Sequence, residues 1–168
     1  MGKVVLKLGD DISTDVIYPG RYMATVLPTE TPQFAFADDA DFNTKLNQGH
    51  VPRGSVIVAG ANFGCGSSRE QAASTLRGHE LTVVARSFAR IFLQNAINLG
   101  VDVVTCETIE AAEGDELKIV GDTITNGTTG TRFRIQALPQ SRRAVIEAGG
   151  LIPYTRQRVL EEHSKKTG

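Results

Sequence analysis

The sequence predicts an α/β fold: one domain built on a single mixed sheet. Three observations carry this. Short apolar, β-branched runs alternate with helix-patterned stretches from "GSVIVAG" (54–60) to "VDVVTC" (101–106). That alternation calls for parallel strands joined by helical crossovers. Beyond residue 107 the texture changes to brief strands between Gly, Asn and Thr turns, the signature of hairpins. The length, 168 residues at 40% hydrophobic and 22% charged, fits one domain with a sizeable core.

The elements follow in order. "KVVLKL" (3–8) reads as the first strand. "GDDISTD" (9–15) is rich in residues that bond locally to backbone, and Pro19-Gly20 breaks "VIYPGRY". Residues 29–50 are polar and are expected to hold one short helix. "GSVIVAG" is a buried strand, followed by a helix to about Arg77 and a further buried strand, "LTVVA" (81–85). "SFARIFLQNAINLG" (87–100) reads as a helix with Ser87 as N-cap and Gly100 as stop. Its apolar residues Ile91, Phe92, Ala96 and Leu99 recur at helical spacing. "VDVVTC" is the next strand, and 114–136 is the hairpin set. "SRRAVIEAGG" (141–150) is expected to be the final helix. The single domain spans 1–168, with 155–168 a charged, frayed tail.

Composition excludes several function classes. Eighteen Lys and Arg against nineteen Asp and Glu leave a net charge of −1, which gives no electrostatic basis for binding nucleic acid. No apolar run approaches the roughly 20 residues of a membrane helix. The N-terminus is too short and polar for a signal peptide, and Leu6 stands where a myristoylation signal needs Ser or Thr. A cytoplasmic location follows as the default. Cys65 and Cys106 form no CxxC pair, and His50, His79 and His163 are scattered. A metal or iron–sulfur site built by this chain alone is not expected.

The least ordinary stretch is "GANFGCGSSREQAA" (60–73). Ser67 with Glu70, and Ser68 with Gln71, each fit a capping box, so one serine is expected to cap the helix and the other to point outward. Open N–H groups and the helix dipole favour an anion there. Glycines 60, 64 and 66 let backbone approach a ligand, and Arg69 adds a planar charged fork suited to a carboxylate. A capped helix after a flexible turn explains the same residues without any ligand. The stretch is neither a P-loop nor a G-x-S-x-G elbow.

"GANFGCGSSREQA", "GDDISTDVIYPGRY" and "SFARIFLQNAINLG" together resemble the small subunit of 3-isopropylmalate dehydratase and homoaconitase, which corresponds to the swivelling domain of aconitase. The resemblance runs from the first strand to "EAGGLIPY" (147–154). It implies the swivelling-domain β/β/α architecture and a hydro-lyase that is inactive without its large subunit. It also implies a [4Fe–4S] cluster on that large subunit, with none bound by this chain. Such enzymes need a base for a C–H proton, a Lewis acid for the departing hydroxide, and cations for carboxylates.

The resemblance makes Ser67 the base, with Ser68 and Arg69 binding a substrate carboxylate; Ser68 as helix cap is the competing role. Asp15 matches the family's T-D motif and would orient polar groups, or else bond to turn backbone. Arg21, Met23, Ala24 and Thr25 belong to the loop that reads the substrate's variable group. Homoaconitase-type chains read "RYLRT" there and the isopropylmalate type "RYLVYT"; this chain reads "RYMAT". Ala24 replaces the arginine that would pair a third carboxylate, so an alkyl-substituted malate is favoured. 2-Isopropylmalate (leucine biosynthesis), citramalate and 2,3-dimethylmalate all fit, and homoaconitase with an altered loop is the rival. A stand-alone carboxylate-binding regulatory module is the alternative of another class.

Overall fold

The apolar runs become the strands of one sheet. The computed structural model of the protein describes residues 1–166. Its strands are β1 (Gly2–Lys7), β2 (Val56–Ala59), β3 (Thr82–Ala85), β4 (Asp102–Thr105), β5 (Glu116–Val120), β6 (Thr123–Asn126) and β7 (Arg132–Arg134). Their order across the sheet is β4-β3-β2-β1-β5-β6-β7. β1 to β4 pair in parallel, in register Val56↔Thr82 through Ala59↔Ala85 between β2 and β3. β5 joins β1 antiparallel, and β6 and β7 extend it as a meander. Both sequence-derived halves are present, with β1 serving as the hinge strand: parallel to one neighbour, antiparallel to the other.

The sheet curls until its ends meet. Gln136, just past β7, donates its N–H to the Thr105 carbonyl at the end of β4 (2.8 Å). Next to it the Cys106 thiol donates to the Arg134 carbonyl (3.4 Å). Inside the curl lie Val4, Val58, Val84, Ile124 and Phe133. On the outer face Ile57, Val83 and Ala85 pack against α3 (Glu70–Gly78) and α4 (Arg90–Leu99). All four residues of β2 are therefore buried, which is why its sequence shows a continuous apolar run rather than alternation.

Three local expectations need correction. α4 begins at Arg90 with Ala89 at the cap position and no side-chain cap. The Ser87 hydroxyl instead accepts the Asn62 N–H (2.8 Å), stitching loop 60–69 to the end of β3. α4 buries Phe92, Ala96 and Ile97, whereas Ile91 is 55% exposed. Going round the helix from Phe92, Ala96 (about 40°) and Ile97 (about 140°) lie to one side, and Ile91, about 100° to the other side, falls outside the buried arc. Gly100 does stop α4, in the left-handed region at φ 72°.

The helix expected at 141–150 is α5 (Gln140–Glu147), but it is not the last. The charged segment read as a tail forms α6 (Leu151–Lys166), exposed through residue 164 apart from half-buried Tyr154. Residues 167 and 168 of that tail lie outside the described residues. Residues 29–50 contain a 3-10 turn (Thr31–Phe34) and α2 (Ala40–Asn47), capped where Asp39 accepts the Phe42 N–H (3.0 Å). Among the described residues no helix is long and apolar enough to cross a membrane.

Candidate active site

Loop 60–69 leaves the carboxyl end of β2 and enters α3, the position where open α/β sheets bind ligands. Two contacts fix its path. Gly64 has φ +82°, and a Cβ there would collide with the Phe92 ring of α4, so only glycine lets the backbone lie on that ring. From the other side, the Thr14 N–H donates to the Cys65 carbonyl (2.8 Å) and the Thr14 hydroxyl to the Ser67 carbonyl (2.9 Å). The "STD" and "GCGSSRE" motifs are thus one structural unit.

Neither serine caps α3. Arg69 occupies the cap position in extended conformation (φ −127°, ψ 107°), and no side chain caps the helix. The capping-box expectation fails because the Ser67 carbonyl is anchored to Thr14 and the helix starts only at Glu70. Both serines remain exposed. The helix mouth keeps its open N–H groups and its partial positive charge.

Arg69 is the opposite case. Its side chain is only 13% exposed, and one guanidinium nitrogen donates both to the Asp15 carboxylate and to the Tyr18 carbonyl (3.2 Å). Asp15 lies in the first turn of α1 (Thr14–Ile17) and is 56% exposed. Asp15 thus holds one nitrogen of the Arg69 fork, and Arg69 also lines a cleft.

That cleft has a volume of about 720 Å3. Ser67, Ser68 and Arg69 line it on the α3 side; Arg90, Ile91, Gln94 and Asn95 line it on the α4 side, with Arg142 of α5. A second hollow of about 400 Å3 adjoins it, bordered by Val26, Pro28, Ser68, Gln71 and Asn95.

The structure gathers Ser67, Ser68, Arg69 and Asp15 but places the variable loop apart. Arg21 pairs with Asp38 (2.6 Å) and lies over the Tyr22 ring, 4.7 Å from its centroid, outside both hollows. Met23 and Thr25 contribute carbonyls to Gln71 (3.4 Å) and to the Tyr18 hydroxyl (3.3 Å), and Ala24 is exposed between them. Only the end of this loop, Val26 and Pro28, reaches the second hollow. Asn95 and Arg142 are cleft residues that the sequence did not single out, and Ile91 stood out only as part of an apolar stripe. The available signal was Asn95, a polar residue inside an otherwise apolar helical stripe.

The cysteines sit apart in kind and place. Cys65 is half-buried in loop 60–69, while Cys106 is buried at the sheet seam, where burial pushes its thiol pKa up. Among the described residues no group of three or more His, Cys, Asp or Glu could hold a metal. The donor set of this chain does not fit a resident iron–sulfur cluster.

This fold and helix mouth define a swivelling domain: residues 11–108 match the aconitase C-terminal domain, and the chain belongs to that family. The chain is 44% identical to the isopropylmalate/citramalate isomerase small subunit of Methanocaldococcus jannaschii, over 94% of each chain. It is 43% identical to the 3-isopropylmalate dehydratase small subunit of Methanosarcina acetivorans, over 92% of this chain and 96% of the relative. Identity is also 43% to the 2,3-dimethylmalate dehydratase small subunit of Eubacterium barkeri, over 89% and 93%. A crystal structure of 3-isopropylmalate dehydratase from Methanocaldococcus jannaschii superposes with a TM-score of 0.87 at 38% identity, covering 97% of both chains.

Proposed function

We propose that this chain is the small subunit of a heteromeric hydro-lyase that isomerises an alkyl-substituted malate, with 2-isopropylmalate the preferred substrate. One observation carries the reading: two exposed serines and an oriented arginine stand at an uncapped helix mouth that opens on a cleft.

In this reading Ser67 takes the proton from the carbon next to a carboxylate. A serine hydroxyl is a weak base in water. The helix dipole, the Arg69 charge and closure of the site by a partner all favour its anionic form. Ser68 and the free side of Arg69 hold the carboxylate. A [4Fe–4S] cluster on the large subunit would supply the Lewis acid for the departing hydroxide.

Arg21, Met23, Ala24 and Thr25 begin the loop whose end, Val26 and Pro28, reads the alkyl group beside Ser68 in the second hollow. Among the described residues that hollow is bordered by Val26, Pro28, Leu99 and Glu70 and by no Lys or Arg. A third carboxylate would go unpaired there, which disfavours a homoaconitase substrate. The relatives named for citramalate and 2,3-dimethylmalate support the wider alkylmalate class.

The test is reconstitution. Mixed with a cluster-loaded large subunit, the chain is expected to convert 2-isopropylmalate, while neither component does so alone. Ser67→Ala should assemble normally and lose activity. Equal activity of Ser67→Ala and wild type would remove the proposed base.

A further inference from the structure

Ser68 and Asn95 are the residues common to the main cleft and the adjoining hollow. Asn95 lies mid-helix in α4, where Asn is a poorer choice than Ala or Leu. Its neighbour Gln94 donates to Asn98 (2.9 Å). Asn95 itself makes no side-chain hydrogen bond among the described residues. Among the described residues no fully buried polar side-chain atom lacks a partner, so the half-buried Asn95 amide opens on the two hollows it lines. The serine loop also rests on this helix. Phe92, one turn earlier on α4, is the ring on which Gly64 rests.

We infer that Asn95 contacts the substrate. Its amide donates to the carboxylate held by Ser68 and Arg69, from the α4 side, and turns the adjacent C–H toward Ser67. Arg69 alone cannot fix that orientation, because one of its nitrogens is committed to Asp15 and Tyr18. A neutral amide adds a directed donor without a second buried charge. The inference rests on the alkylmalate reading.

The experiment is steady-state kinetics of the reconstituted complex at saturating large subunit, with wild type, Asn95→Ala and Asn95→Asp, alongside thermal melts. Asn95→Ala is expected to raise KM for 2-isopropylmalate about tenfold or more, the loss of one hydrogen bond to a charged group. Asn95→Asp keeps the volume but sets a carboxylate against the substrate's. Its KM should rise further and recover as falling pH protonates the new carboxyl.

KM values within about twofold of wild type in both variants overturn the inference, whatever the melts show. Failure of both variants to fold overturns it too, by assigning Asn95 to packing. An inactive wild-type complex sinks the underlying alkylmalate reading instead, which separates the two failures.

Discussion

The two halves of this sheet differ in almost everything but their shared strand β1. The parallel half, β1 to β4, is covered on both faces and carries every residue of the helix mouth at or beyond its carboxyl ends. The antiparallel half, β5 to β7, contributes no cleft residue; it supplies the inner core and brings the chain round to meet β4. The candidate site lies in one half and closure in the other. Substitutions should therefore separate activity from stability according to which half they strike.

The largest expected effect is Ser67→Ala, about 10²–10⁴-fold off turnover, the usual worth of a positioned general base, with the melting curve unchanged. Ile124→Ala should do the reverse. Ile124 is fully buried inside the curl, and its truncation is expected to cost about 2–5 kcal/mol of stability by denaturant titration, while turnover per folded complex stays constant. A change in turnover of the folded fraction would blur the division between the halves.

Asp15→Asn tests the boundary, since it removes the carboxylate that orients Arg69. Because Asp15 is more than half exposed, the stability loss should be only about 1 kcal/mol. KM should nonetheless rise several-fold, as the arginine fork loses its orientation.

The smallest effect belongs to pH. The Asp115 carboxylate accepts from the Ala112 N–H (2.9 Å) and the Asn126 amide (2.7 Å), which hold its pKa below the ordinary value. A depressed folded pKa means stability that is present above the unfolded value, near 3.9, and is lost as pH falls through the folded one. Acid melts should show a loss that Asp115→Asn lacks.

Much of the parallel half was legible in the sequence, because a continuous β-branched run such as "SVIVA" has few other uses. The hairpins were legible from their turn residues. The seam between Thr105 and Gln136 was not, because a single long-range bridge leaves no local pattern. The serine–arginine mouth was visible as a motif, but its capping was misread. The spacing S-x-x-E is satisfied in sequence, yet Thr14, more than fifty residues away, holds the Ser67 carbonyl and delays the helix. Ile91 and Asn95 show a related limit. Periodicity marks α4 as amphipathic without saying that its flank would face a cleft made by another helix.

The seam has a consequence of its own. The edge strands β4 and β7 are only four and three residues long and are tied at a single bridge, so neither offers a long row of vacant amides for a second molecule to extend. A protein made separately from its partner is thereby guarded against strand-by-strand polymerisation while it waits.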